Sequence, residues 1–176
     1  MSTKTVSQLG KELSGVVEHY YNSLQNYKKE DFEKTFDDGS WSMGQLYNHL
    51  YSASRHWING KITNCINQEK GVEQAELTSE GSFILGRGYI SHSKKVKMPE
   101  GMPQPEFQPK AFFEKELENY STYLTELTER MESQIQPNFG TKHPIFGMLT
   151  AKDWLNFDLI HWKHHIRQQK EIESKF

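Results

Sequence analysis

Three histidines are the residues of this sequence whose type and spacing could hold a metal ion. His161 and His165 are four residues apart, so a helix would place both on one face, with Cβ atoms about 5–6 Å apart. Two imidazoles at that spacing can chelate one ion, and His49, from a neighbouring helix, would complete a facial set. Neutral imidazole suits Zn, Ni, Cu or Fe(II), and we expect a divalent transition metal, zinc or nickel.

The same histidines have a second interpretation, in which each is a hydrogen-bonded core residue and no metal is present. The pair lacks the glutamate that accompanies paired histidines in zinc proteases. Cys65 is the only cysteine, which excludes a thiolate cluster and an intramolecular disulfide framework. Residue spacing alone therefore leaves both interpretations open, and any metal would depend on histidine and carboxylate ligands.

Length and charge limit the class of protein. A chain of 176 residues predicts a single domain over 1–176. With 21 basic and 23 acidic residues, no strong positive field attracts nucleic acid. No apolar run approaches the roughly 18 residues that a membrane span needs. The polar N-terminus lacks an apolar signal core, so we expect a cytoplasmic protein.

Helical periodicity predicts an all-α four-helix bundle that positions these histidines. Two long connections, 67–108 between helices 2 and 3 and 138–149 between helices 3 and 4, are predicted to be irregular. Within the first of them, Phe83 to Leu85 is compatible with a short helix or a strand. The predicted helices cover about 6–27, 41–66, 109–134 and the chain from Thr150 onward.

Polar side chains occupy the face of the fourth helix where aliphatic core residues are expected. This stripe contains Asp158, His161, His165 and Gln168, and His49 lies on the apolar side of the second helix. Buried polar groups cost free energy unless they find partners. A polar cluster at the seam between two helices is the arrangement that metal sites in helical bundles use.

Two sequence blocks resemble a known family. They are residues 143–154 (HPIFGMLTAKDW) followed by 161–168 (HWKHHIRQ), and upstream residues 41–50 (WSMGQLYNHL). Together they resemble the DinB-like superfamily, in a branch known mainly as a domain of unknown function. The resemblance covers nearly the whole chain, because the two blocks lie about a hundred residues apart and the predicted helices surround them.

This resemblance implies a fold, a ligand set and an activity. DinB-like proteins are four-helix bundles that hold a divalent metal with one histidine of the second helix and two of the last. Position by position, these match His49, His161 and His165. Relatives with assigned activities are thiol-dependent S-transferases and a mycothiol-dependent isomerase, which implies a low-molecular-weight thiol and a small-molecule substrate as partners. Pairing of two chains through an exposed helix face, which would give a homodimer, is an alternative that the sequence leaves open.

Further residues are candidates for contacts at such a site. Arg87, Tyr89 and Gln168 are expected to bind substrate, because two of them lie in the long connection that would form the pocket mouth. Asp158 lies one turn before His161 and is expected to orient a ligand imidazole or to act as a catalytic base. The alternatives are a solvated or helix-capping Asp158, a metal-dependent hydrolase without thiol chemistry, and a non-catalytic bundle.

Overall fold

The computed structural model describes residues 4–91 and 105–176, which are mostly helical. In these residues a small three-stranded antiparallel sheet accompanies the helices. No helix in this part of the chain is long and apolar enough to cross a membrane. The elements in chain order are α1 (Val6–Asn26), α2 (Lys29–Glu33), α3 (Met43–Ser52), a π-helical segment (Ala53–Ile58), α4 (Asn59–Asn67), β1 (Gly71–Val72), α5 (Ser79–Arg87), α6 (Lys110–Gln134), β2 (Gly140–His143), β3 (Gly147–Thr150) and α7 (Ala151–Glu173).

The first and third predicted helices are confirmed as α1 and α6. Thr5 and Gln8 form a capping box that starts α1, because each side chain accepts a hydrogen bond from the backbone of the other. Pro109 is the residue just before α6, whose last residue is the predicted Gln134. Both helices bury an apolar stripe, and α1 packs against α6 and α7.

The second predicted helix begins where its capping box places it, but it is not one uninterrupted α-helix. Ser42 accepts a hydrogen bond from the Gln45 backbone and the Gln45 side chain accepts one in return, which starts α3. The π-helical segment then separates α3 from α4. A π-turn contains one more residue than an α-turn, so the faces of α4 are rotated relative to those of α3. Ser54, in this turn, is fully buried.

The two long connections are more regular than predicted. The first contains β1 and α5, and Phe83 to Leu85 are helical, while residues 92–104 lie outside the described residues. The second contains the hairpin of β2 and β3, in which Thr141 pairs with Leu149 and His143 with Gly147. The prediction of irregular structure was therefore wrong for residues 71–72, for most of 138–149 and for α5 outside Phe83 to Leu85, where a short helix was one of the two alternatives. Strands of two and four residues are too short for a period of two to be recognised.

The hairpin leads directly into α7 because Thr150 belongs to both elements. It is the last residue of β3 and the N-cap of α7, where it forms the predicted capping box with Asp153. Gly147 opens β3 with φ of 89°. A Cβ at this position would lie 2.7 Å from the Glu76 carbonyl oxygen, so the close contact with residues 76–78 requires glycine. The direction in which α7 starts is thereby fixed.

A buried aromatic cluster joins α1, α3, α6 and α7. The Tyr20 ring lies 5.5 Å from Tyr47 and 5.1 Å from Trp162, both in edge-to-face geometry. Tyr120 of α6 lies 6.3 Å from Trp162. The Tyr47 hydroxyl donates to the Tyr20 carbonyl at 2.8 Å, and the Tyr20 hydroxyl donates to the Trp162 carbonyl at 3.3 Å. This cluster therefore fixes α3 relative to α7.

Candidate metal centre

The structure brings His49 of α3 together with His161 and His165 of α7. The ring centroids are 4.9 Å apart for His49 and His161, 4.9 Å for His49 and His165, and 4.8 Å for His161 and His165. One nitrogen from each ring lies within 4.8 Å of the others, and all three residues are half-buried. The three imidazoles thus form a nearly equilateral triangle at the seam between two helices. We call these three residues the histidine triad.

The triad has the donor atoms and spacing that a divalent metal requires. Nε2 of His49 lies 3.0 Å from Nε2 of His161. Two nitrogens on one tetrahedral zinc ion are about 3.3 Å apart, so a small adjustment would accommodate the ion. One nitrogen of His165 lies within 4.8 Å of these two. Three imidazole nitrogens therefore converge on one point, and imidazole is a favourable ligand for a divalent transition metal, so the residues fit such an ion.

The triad is uncharged near neutral pH. Burial, followed by the charge of His164, lowers the pKa of His49 to about 4. Burial and the neighbouring His49 lower the pKa of His165 to about 3. The pKa of His161 is well below its ordinary value for the same reasons, with burial first and His165 second. Metal binding requires neutral imidazole, so these rings need not lose a proton first.

The side chains that could hold a metal here include no carboxylate among the described residues. The cluster that the structure identifies consists of the three histidines alone. Three neutral ligands leave the double charge of a divalent ion uncompensated by the protein. An anionic or Lewis-basic small molecule would therefore be favoured at the remaining coordination positions.

Gln168 contacts a histidine of the triad. Its Oε1 lies 2.8 Å from Nδ1 of His165. An amide oxygen can only accept, so Nδ1 of His165 carries the proton and Nε2 keeps its lone pair for a metal. Gln168 thus orients an imidazole of the triad, whereas the sequence suggested Asp158 for such a role. The expected contact of Gln168 with substrate stays a prediction.

Asp158 is fully buried one turn before His161 and contacts the π-helical segment. Its carboxylate accepts a hydrogen bond from Ser54, whose hydroxyl accepts one from Trp162 Nε1 at 2.7 Å. The side chain is fully buried, so it is not a solvated charge, and it lies beyond the first turn of α7. Burial raises the pKa of Asp158 to about 7, and the Ser54 hydrogen bond opposes this shift. The catalytic-base assignment stays a prediction.

Arg87 and Tyr89 lie at the exposed end of α5. The Arg87 guanidinium stacks 4.1 Å from the Tyr89 ring and 4.8 Å from the Phe83 ring. Asn156 of α7 donates to the Leu85 carbonyl at 3.0 Å and so holds α5 against α7. Within residues 4–91 and 105–176, the hydrogen bonds and ring contacts of Arg87 and Tyr89 do not include the triad. Their role in substrate binding stays a prediction.

Aromatic rings that the sequence did not assign to the site surround the triad. The Trp41 ring lies 5.0 Å from His49, and the Phe157 ring stacks 5.8 Å from His161. Phe157 precedes His161 by four residues, so helical spacing alone could have placed it there. His143, which contacts Phe157 at 4.9 Å, gives no such signal because it lies in the hairpin.

The chain matches the model of one protein family. That family is described as "Protein of unknown function (DUF1569)", and the match covers residues 16–171. The matched span includes all three histidines of the triad, His143 and Gln168. No curated protein matches the chain.

The raised pKa of Asp158 predicts an unusual pH dependence of stability. Between pH 5 and pH 8 the unfolded carboxyl is mostly ionised, whereas the folded one keeps its proton up to about pH 7. The folded state binds this proton more tightly than the unfolded state. The free energy of unfolding that Asp158 contributes is therefore present at low pH and is lost as the pH rises. Relative to wild type, Asp158→Asn should gain about 3 kcal/mol of unfolding free energy between pH 5 and pH 8. Urea denaturation at both pH values measures this difference.

The exposed Asp37→Asn is the control for removal of a carboxylate from the surface. An Asp158→Asn effect that does not depend on pH would show that Asp158 is ionised when buried.

The hydrogen bond from His165 to Gln168 predicts an effect on metal affinity. Gln168→Leu removes the acceptor that holds the imidazole, and the affinity should fall about 10- to 100-fold. Gln168→Glu retains an acceptor oxygen and should bind at least as tightly as wild type. Competition with a chromophoric chelator measures both dissociation constants. Equal affinity of the leucine variant and wild type would mean that Gln168 does not orient His165.

Proposed function

The chain belongs to the DUF1569 family, and we propose that it is a DinB-like four-helix bundle that binds one divalent transition metal. His49, His161 and His165 are the protein ligands in this proposal. Zinc and nickel are the metals that we expect, because neutral imidazole is a favourable ligand for both. The proposed activity is that of a metal-dependent transferase acting on a low-molecular-weight thiol.

One observation carries the metal-binding proposal. Three neutral imidazoles from two helices form a triangle with ring centroids 4.8–4.9 Å apart. A structural zinc site is closed by four protein ligands, whereas a site with three keeps a position for an exogenous ligand. The triad therefore resembles a site that binds water or substrate.

The thiol proposal follows from this open site and from the resemblance to DinB-like proteins. When bound, a divalent metal with open positions lowers the pKa of a coordinated thiol and orients it toward an electrophile. The chain's own residues hold and enclose this position. Gln168 orients His165, while the apolar rings of Trp41 and Phe157 pack beside His49 and His161.

Metal analysis of protein prepared without a polyhistidine tag tests the ligand set. We expect one transition-metal ion per chain and a loss of affinity of at least 100-fold in His49→Ala and His161→Ala. The exposed His56→Ala is the matched control and should bind like wild type. Wild-type affinity in the His49 and His161 variants would contradict the proposed site.

Thiol consumption tests the reaction. Metal-loaded protein is incubated with low-molecular-weight thiols and a chromogenic electrophile, and the loss of free thiol is followed. We expect consumption by wild type that falls to the uncatalysed rate in His161→Ala. Equal rates for the two proteins would exclude thiol transfer at the triad and would leave a hydrolase or a binding protein.

A further inference from the structure

His143 ends strand β2, and its side chain caps the turn that follows. Nδ1 accepts backbone N–H groups from Ile145 and from Phe146, each at 3.1 Å. Two donors on one nitrogen require that nitrogen to be unprotonated. The proton of the neutral ring must therefore be on Nε2, and His143 is an N–H donor with a fixed tautomer.

The surroundings keep this ring neutral and immobile. Burial, and then the charge of Lys61, lowers the pKa of His143 to about 4. The ring stacks on Phe146 with centroids 4.3 Å apart and an interplanar angle of 5°. Trp57 lies 5.5 Å away and Phe157 4.9 Å away. Rotation of the imidazole would break both turn hydrogen bonds and this stacking.

Capping the turn does not require an imidazole. The side-chain oxygen of Asn or Asp accepts N–H groups two and three residues further along many turns. An imidazole supplies that acceptor and adds a second nitrogen on the other side of the ring. Among the described residues, this Nε2 makes no hydrogen bond and is not one of the fully buried polar atoms without a partner. Its N–H is therefore available to a ligand.

The imidazole that carries this donor is separated from the triad by one aromatic ring. Phe157 contacts His143 at 4.9 Å and His161 at 5.8 Å. The half-buried Trp57 lies against both His143 and Phe157, with ring distances of 5.5 and 6.2 Å. A small molecule held at the triad and extending past Phe157 would meet an apolar surface and then an N–H donor.

We propose that Nε2–H of His143 donates a hydrogen bond to a carboxylate or carbonyl oxygen of the small molecule held at the metal centre. This inference rests on the proposed function, because the other end of that molecule occupies an open position of the metal. The ligand class is a small molecule with a metal-binding anionic group and a second oxygen several bonds away. His143 is thus a specificity-determining residue, because it selects ligands whose second group accepts a hydrogen bond.

A series of dicarboxylates of increasing length tests this proposal. Malonate, succinate and glutarate are titrated into protein loaded with Co(II), whose visible spectrum reports binding, and acetate, propionate and butyrate serve as monocarboxylate references. Chelation of the ion by both carboxylates also depends on length and favours malonate, so the preference that reports His143 is the part that His143→Asn removes. For succinate or glutarate, we expect the affinity gain over the matching monocarboxylate to be about tenfold larger in the wild type than in His143→Asn.

Two variants separate the turn cap from the ligand donor. His143→Asn keeps an acceptor for the turn but removes the distal donor, so it should keep the wild-type Tm and metal affinity and lose this part of the length preference. His143→Gln can place an amide N–H near the Nε2 position but cannot cap the turn. It should therefore have a lower Tm and retain part of the preference.

Two results would overturn the inference while leaving the metal site intact. One is the absence of any length preference in the wild type, and the other is an unchanged preference in His143→Asn. Failure to load Co(II) would contradict the proposed function itself and is observed before any dicarboxylate is added. Nitrogen-15 NMR of the metal-free protein gives an independent check, because a proton on Nδ1 of His143 would also overturn the inference.

Discussion

The candidate site depends on a chain of two buried hydrogen bonds through Tyr20. Its carbonyl accepts from the Tyr47 hydroxyl, and its own hydroxyl donates to the Trp162 carbonyl. Tyr47 lies two residues before His49, and Trp162 is adjacent to His161. The hydroxyls are buried, so breaking either bond would leave a polar group unsatisfied at a cost of about 1–3 kcal/mol. The separation of the two histidine-bearing helices is therefore specified by the core.

Trp162 extends this constraint to the π-helical segment. Its indole N–H donates to the Ser54 hydroxyl, which in turn donates to Asp158. Ser54 lies near the start of this segment, five residues after His49. The carboxyl of Asp158 thus holds together the elements that carry the triad, and it does so in a pocket that favours its protonated form.

Local sequence signals predicted the parts of this structure that local interactions determine. Capping boxes at Ser42 and Thr150 defined where two helices start, and the spacing of His161 and His165 placed both on one face. Other features depend on contacts between residues distant in sequence. β1 pairs with β2 across about seventy residues, and the π-turn is stabilised by side chains of α7. The sequence identified Gln168 as a candidate site residue but not its partner. Its side-chain oxygen accepts a hydrogen bond from His165, and only the side-chain conformations in the folded protein reveal this contact.

X-ray absorption at the edge of the bound metal tests the central claim most directly, because it counts and identifies the atoms that ligate the ion. Three imidazoles from His49, His161 and His165 predict three nitrogen scatterers at about 2.0–2.1 Å for zinc, with the outer-shell scattering of imidazole rings and one or two light atoms from exogenous ligands. Addition of a thiol should introduce one sulfur at about 2.3 Å. A shell of oxygen atoms without imidazole scattering would contradict the account.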